Sequence, residues 1–172
     1  GTLVMHGLEQ DLDVFIVSGD KDFMQLINDN VFLFAPGTRT KPDKIYDIKG
    51  VEDRWGVPPE KIVDLFGLMG DSSDNIPGVV GVGPKSAMKL IHDYGTLEKA
   101  LENAESVTNK RVRNGLLEGK DKAILSKDLV TIVTDVPLGR EIDELVRQDM
   151  DIEVMESLLT EYEFHALINQ LP

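Results

Sequence analysis

An α/β segment followed by an all-α segment is the architecture this sequence predicts, and three observations carry it. Helix-like and strand-like apolar patterns alternate over the first third of the chain, the order that builds parallel strands joined by helices. From residue 57 onward the apolar spacing is helical. Residues 76–83, Ile-Pro-Gly-Val-Val-Gly-Val-Gly, interrupt that helical half with a turn too rich in glycine and proline to be regular structure. The expected division is a sheet-bearing part over 1–56 and a helical part over 57–172.

Taken in order, residues 2–10 place apolar side chains at helical spacing. Residues 14–17 are continuously apolar up to Ser18, as strands of buried parallel sheets tend to be. Residues 21–28 read as a helix with Phe23, Leu26 and Ile27 on one face, and 31–34 as the next strand. Two such strands make too small a sheet to stand alone, so further strands are expected upstream of Gly1. Pro36 and Gly37 turn the chain, 44–48 forms a short strand, and 48–55 and 59–69 are helices. Pro59 lies where a first helical turn accepts proline. After the glycine-rich turn, 85–94 is a helix with Ala87, Leu90 and Ile91 inward, stopped by Gly95. Thr96 caps a helix over 97–103. Residues 109–133 are mostly helical, basic first and apolar later, and 151–161 form a last helix.

At 172 residues and 41% hydrophobic, the chain can bury one ordinary core. It holds no cysteine, which excludes disulfides and thiolate metal sites and suits the cytoplasm. No apolar run approaches the ~20 residues that span a bilayer. The N-terminus has neither the basic region nor the cleavage site of a secretory signal. A soluble cytoplasmic protein with no membrane partner is expected. The formal net charge of −13 argues against a nucleic-acid binder if taken whole. That charge is unevenly spread: residues 79–127 hold 9 basic and 6 acidic side chains, and residues 135–172 hold 2 and 10. The net-positive stretch begins at the glycine-rich turn. The acidic tail reads as a solvated face, or as a surface offered to a protein partner.

Two carboxylate clusters carry the chemistry. Asp20 and Asp22 flank Lys21 within Ser18-Gly19-Asp20-Lys21-Asp22, at the predicted end of a strand. Asp71 and Asp74 lie three apart in the loop Gly70-Asp71-Ser72-Ser73-Asp74-Asn75. Either pair alone is explained by capping, as a helix N-cap with a first-turn acid or as an Asx-type turn. Together, at a strand's C-terminal end and in a later loop, they form a site for hard divalent cations such as Mg²⁺ or Mn²⁺. Two cations ~4 Å apart activate a water and stabilise the leaving oxygen in phosphodiester cleavage.

The turn that follows suits a backbone phosphate. Gly78, Gly81 and Gly83 allow close approach and positive φ around Val82, and the next helix offers free N–H groups at its start. Lys85, Ser86 and Lys89 lie on its first turns, the two lysines on one face. Gly-x-Gly by itself is weak evidence. Within Ile76-Pro77-Gly78-x-x-Gly81-x-Gly83-x-Lys85-x-Ala87-x-x-Leu90-Ile91 it is strong, and the competing reading is a tight structural turn between helices. Lys110, Arg111, Arg113, Lys120, Lys122 and Lys127 read either as phosphate contacts or as a solvated helix face. His6, His92 and His165 are isolated, and Trp55, Phe66 and Tyr94 read as core.

These motifs resemble the 5′ nuclease (flap endonuclease) superfamily, most closely the 5′→3′ exonuclease domains of bacterial DNA polymerase I type. The most specific parts are residues 18–26 and 67–89, and the similarity extends over essentially the whole chain. The resemblance implies a partial PIN-like parallel sheet core followed by a helical subdomain with a helix–three-turn–helix (helix-hairpin-helix) grip on duplex DNA. It implies that Asp20, Asp22, Asp71 and Asp74 ligate catalytic Mg²⁺ or Mn²⁺. It also implies a K⁺ ion on carbonyls near Gly78 and Val82. The implied substrate is double-stranded DNA with a 5′ flap, a nick or an RNA primer, and the implied neighbour is a polymerase domain C-terminal to this chain. Members also carry an N-terminal strand with an Asp, a basic helical arch and a Glu-Ala-Asp-Asp motif, none of which occurs here. The chain is thus expected to correspond to the C-terminal part of the nuclease domain and to be inactive alone. The alternative is a non-catalytic helix-hairpin-helix DNA-binding module whose acids serve as caps.

Overall fold

The computed structural model of residues 1–172 begins with helix α1 (Thr2–Glu9) and a three-stranded sheet of β1 (Val14–Val17), β2 (Val31–Ala35) and β3 (Lys44–Tyr46). β1 and β2 pair in parallel, Val14 opposite Val31 through Val17 opposite Phe34. β3 joins β2 antiparallel, with Leu33 opposite Tyr46. The expectation of a wholly parallel sheet therefore holds for one pair only. The physical reason is the link at residues 36–43, pinched by a Thr38–Lys41 bridge and too short for the crossover a parallel strand needs. β1 also differs from the buried strand expected. It lies at the sheet edge, and Phe15 and Val17 on its outer face are exposed.

The helix expected at 21–28 is a tighter 3₁₀ turn over Lys21–Leu26, capped by Asp20. Ile27 is already extended and Asn28 bridges to Val31, so the chain enters β2 before an α-helix could complete another turn. Next come α2 (Ile48–Trp55), capped by Asp47, and a 3₁₀ turn over Pro59–Lys61 that feeds α3 (Ile62–Met69).

α3 is the centre of the first compact unit, Gly1–Pro137. Ile62, Leu65, Phe66 and Leu68 are almost fully buried, and so is Asp64. Around it stand α4 (Pro84–Tyr94), α5 (Leu97–Glu102), α6 (Lys110–Glu118) and α7 (Lys120–Val130). α4 turns Ala87, Leu90 and Ile91 inward as expected. Thr96 caps α5, accepting from the Lys99 N–H at 3.3 Å. Gly67 permits α7 to close on α3, because a Cβ there would lie 2.9 Å from the Lys127 Cβ. The Asp64 carboxylate under this contact accepts from the Leu97 N–H at 3.2 Å and from Lys127 Nζ at 2.7 Å.

The second unit, Leu138–Pro172, contains α8 (Ile152–Glu161), capped by Asp151, and the short α9 (His165–Ile168). None of its residues is buried. No helix of the chain is long and apolar enough to cross a membrane.

Candidate metal centre and nucleic-acid interface

The carboxylates are placed by two local devices. At the end of β1, the Ser18 hydroxyl accepts from the Asp20 N–H at 3.1 Å. Asp20 Oδ1 in turn accepts from the Asp22 N–H at 2.9 Å, which caps the 3₁₀ turn and orients Asp22. At the end of α3, Gly70 takes φ +71° and breaks the helix. The next segment closes on itself: the Asp71 N–H donates to the Ile76 carbonyl at 3.0 Å, and the Ile76 N–H to the Asp71 carbonyl at 2.7 Å. Asp71 Oδ1 accepts from the Ser73 N–H at 3.0 Å and from the Ser73 hydroxyl at 2.5 Å. The ammonium of Lys21 donates to Asp71 Oδ2.

As a result Asp22, Asp71 and Asp74 each offer an oxygen, and these oxygens lie within 4.8 Å of one another. Asp20 stands outside that group, with one oxygen engaged in the cap. The three placed carboxylates are unlike in environment. Asp71 is buried, Asp22 half-buried and Asp74 exposed. Burial, then repulsion from Asp20, raises the Asp22 carboxyl to about 6 despite the offsetting charge of Lys21. Burial would raise Asp71 too, but the hydrogen bonds from Lys21 and Ser73 outweigh it and bring the carboxyl down to about 2. Asp22 Oδ1 is buried without a hydrogen-bond partner. A carboxylate that converges with two others and keeps a buried oxygen without a donor fits a hard divalent cation, which would offset the gathered charge.

Beyond Ile76 the chain forms a hairpin from α3 to α4. Its base is closed by direct backbone contact. Gly78 has φ +59°, and a Cβ there would lie 2.3 Å from the Gly70 nitrogen. The Gly78 N–H donates to Ser126 Oγ of α7 at 2.9 Å, and the Val79 N–H to the Leu68 carbonyl at 2.8 Å. The Val82 N–H donates to the Val79 carbonyl at 3.0 Å. Of the residues expected to meet DNA, Gly78 and Val82 thus direct their N–H groups inward. Gly81 and Gly83 have no partner within the chain for theirs, and open space lies where a Gly83 Cβ would stand. Lys85 and Ser86 occupy the first turn of α4, whose N–H groups have no helical acceptor. Lys85 is exposed, and Lys89 pairs with Asp93 at 2.7 Å.

The hairpin tip continues into a basic cleft of 620 Å³ lined by Val80, Arg111, Asn114 and Lys122, among others. Here Arg111 packs its stem on Gly81 and carries the cationic surface across to α6. Three positioning residues escape a reading of the sequence. Ser126 was detectable as the polar member of an otherwise apolar spacing with Ala123 and Val130. Gln25 donates to the Val130 carbonyl at 2.8 Å and accepts from the Ile132 N–H at 3.0 Å, and Lys21 pairs with Asp71. Gln25 reaches across 105 positions and Lys21 across 50, so no local pattern links either residue to its partner.

Comparison with known proteins finds relatives and a shared fold. The chain is 37% identical over 171 residues to DNA polymerase I of Bacillus subtilis (strain 168), an alignment covering 99% of this chain and 19% of that protein. It is 42% identical over 159 residues to DNA polymerase I of Rhizobium leguminosarum, covering 92% of this chain and 15% of the relative. The chain therefore spans about a fifth or less of the length of these curated relatives. Among solved structures, T5 5′-exonuclease with bound zinc superposes with a TM-score of 0.65 at 22% identity, covering 75% of this chain and 47% of that one. The catalytic core of Rad2 in complex with DNA substrate gives 0.56 at 17% identity, covering 91% and 54%. Both structural likenesses speak to the fold: a small mixed sheet with many helices. Residues 57–153 match the family model described as 5′-3′ exonuclease, C-terminal SAM fold. With more than half of its residues so matched, the chain belongs to the 5′-3′ exonuclease family.

Proposed function

We propose that this chain forms the DNA-gripping part, and much of the cation-binding part, of a metal-dependent, structure-specific 5′ nuclease of the DNA polymerase I type. The observation that carries the reading is the convergence of Asp22, Asp71 and Asp74 from two segments some fifty residues apart onto one point, with Asp22 Oδ1 buried and without a donor. Residues 1–56 contribute to the nuclease core, and the helix-hairpin-helix grip is drawn from the helical part over 57–172. Relatives that are DNA polymerase I and structural neighbours determined with metal ions or DNA substrate support the same reading.

In this mechanism Asp22, Asp71 and Asp74 hold Mg²⁺ or Mn²⁺, and Asp20 adds charge and its free oxygen while orienting Asp22. A divalent cation supplies charge stabilisation on the phosphoryl oxygens and a more acidic water. The hairpin holds a backbone phosphate through the N–H groups of Gly81, Gly83, Lys85 and Ser86, with Lys85 and Lys89 adding positive charge. A K⁺ ion on carbonyls near Gly78 and Val82 belongs to the same proposal. The substrate class is duplex DNA bearing a 5′ flap, nick or RNA primer, and a polymerase domain is the proposed neighbour.

Calorimetric titration with Mn²⁺ tests the cation site: Asp22→Asn and Asp71→Asn should each abolish a saturable event seen in the wild type. The DNA grip is tested by salt dependence, where Lys85→Ala should reduce the slope of log K against log salt by roughly 1. Three converging carboxylates provide for one cation rather than two. Cleavage of a labelled 5′-flap substrate by this chain alone is therefore expected to be slow. The engagement of Asp20 as a cap favours a second reading, a non-catalytic DNA-binding module, and an absence of saturable Mn²⁺ binding would select it.

A further inference from the structure

The carboxylate cluster already holds one cation of its own. Lys21 follows the capping residue Asp20, and its ammonium crosses to Asp71, fifty positions later, where it donates to Oδ2. It is held in place from several sides. Its side chain is 22% exposed and that of Asp71 is 7% exposed. Its ammonium also lies 5.6 Å from the centre of the Phe66 ring, a residue buried in α3. No other lysine or arginine forms an ion pair with Asp22, Asp71 or Asp74.

Both oxygens of Asp71 are engaged, Oδ1 by Ser73 and Oδ2 by Lys21. Asp22 Oδ1, by contrast, has no donor. A divalent cation that gathers Asp22, Asp71 and Asp74 must therefore share or take Oδ2 from the ammonium, and two cations at one oxygen repel. We infer that Lys21 is the resident counter-ion of the metal-free cluster, competing with the divalent cation for Asp71 and leaving that oxygen when the cation binds. This rests on the cation-site reading given above and deepens it. The role is one of positioning. Lys21 keeps Asp71 and its loop in place while the site is empty of metal, and in doing so it weakens the site for metal.

Removing the ammonium while keeping the length of the side chain separates these effects. Lys21→Met should bind Mn²⁺ about tenfold more tightly in calorimetry, since one unit charge a few ångströms from the ligand oxygens has been removed. Its melting temperature in EDTA should fall, and the rise on adding Mn²⁺ should exceed that of the wild type. Lys21→Arg, which keeps the charge, should bind Mn²⁺ within a few fold of the wild type. A readout on the unmodified protein needs no variant: reductive methylation of Lys21, followed by peptide mass spectrometry, should be faster in Mn²⁺ than in EDTA. Equal or weaker Mn²⁺ binding by Lys21→Met, or a Lys21 methylation rate that Mn²⁺ leaves unchanged or slows, would overturn the inference. If both proteins bind Mn²⁺ through Asp22 with equal affinity, only the role of Lys21 falls. If neither binds at all, the cation-site reading falls with it.

Discussion

The loop at residues 71–75 and the hairpin base that follows it are neighbours in the chain and opposites in what holds them. The hairpin base is determined by contact. Gly78 and Gly70 approach until no side chain fits between them, and the one N–H left over finds Ser126. At the loop, repulsion is the theme: Asp71 and Asp74 gather with Asp22 from the turn after β1, Asp22 Oδ1 has no donor, and a single lysine compensates part of the charge. The first region is complete without a ligand and the second is not. A binding scaffold can be satisfied within the protein, whereas a cation site keeps an unmet demand as its means of binding.

That contrast is most easily broken at the hairpin base. Gly78→Ala puts a Cβ against the Gly70 backbone at a positive φ, and should cost about 3–5 kcal/mol in urea unfolding. A loss below about 1 kcal/mol would mean that the backbone there yields easily. Ser126→Ala should cost less, about 1–3 kcal/mol, because it leaves the buried Gly78 N–H without an acceptor. Neither substitution touches a carboxylate, so any folded fraction should still bind Mn²⁺.

The carboxylate cluster gathered at the loop should answer in the other direction. Asp22→Asn removes a carboxylate that its surroundings disfavour in the charged form, so the metal-free protein should be unchanged or more stable by up to about 1 kcal/mol, the gain limited by solvent screening. Its Mn²⁺ binding should nonetheless be lost. Destabilisation by this substitution in EDTA would remove the contrast between the two regions.

The smallest effect concerns an ion pair outside both. Burial opposes the charge of Glu98, but its hydrogen bond from Lys127 prevails and holds the carboxyl below its ordinary value. A depressed acid stabilises the fold fully above its unfolded pKa, and that contribution is lost as pH falls through the acidic range. Glu98→Gln should therefore cost under about 1 kcal/mol at neutral pH, and the difference should vanish in strong acid. A difference that persists there would show packing rather than charge.

Much of this is legible in the sequence because it is local. The helices α4 and α5, with Ala87, Leu90 and Ile91 inward and Thr96 as a cap, follow from spacing and capping chemistry alone. Of the four carboxylates expected to meet where a strand end and a later loop adjoin, Asp22, Asp71 and Asp74 converge. What escaped depends on distant partners. The antiparallel course of β3 is decided by the length of a link, and the exposed face of β1 by what covers the sheet. The residue type of Asp20 suits a cap, yet only the bond from the Asp22 N–H separates it from the other three carboxylates. Ser126, Gln25 and Lys21 act on groups many residues away, and no periodicity reveals a single long-range hydrogen bond.

α7 carries none of the carboxylates and none of the hairpin residues, yet it is bonded towards both. Ser126 near its middle anchors Gly78, Lys127 one position on ties it to α3, and the Val130 carbonyl at its end takes a bond from Gln25 in the same turn as Asp22. A rigid rod fastened in this way is a ruler. If the hairpin grips a backbone phosphate as proposed, the span from that phosphate to the carboxylates is a length fixed in the protein. The number of nucleotides between the point of grip and the point of cleavage would then be counted by a helix that touches neither.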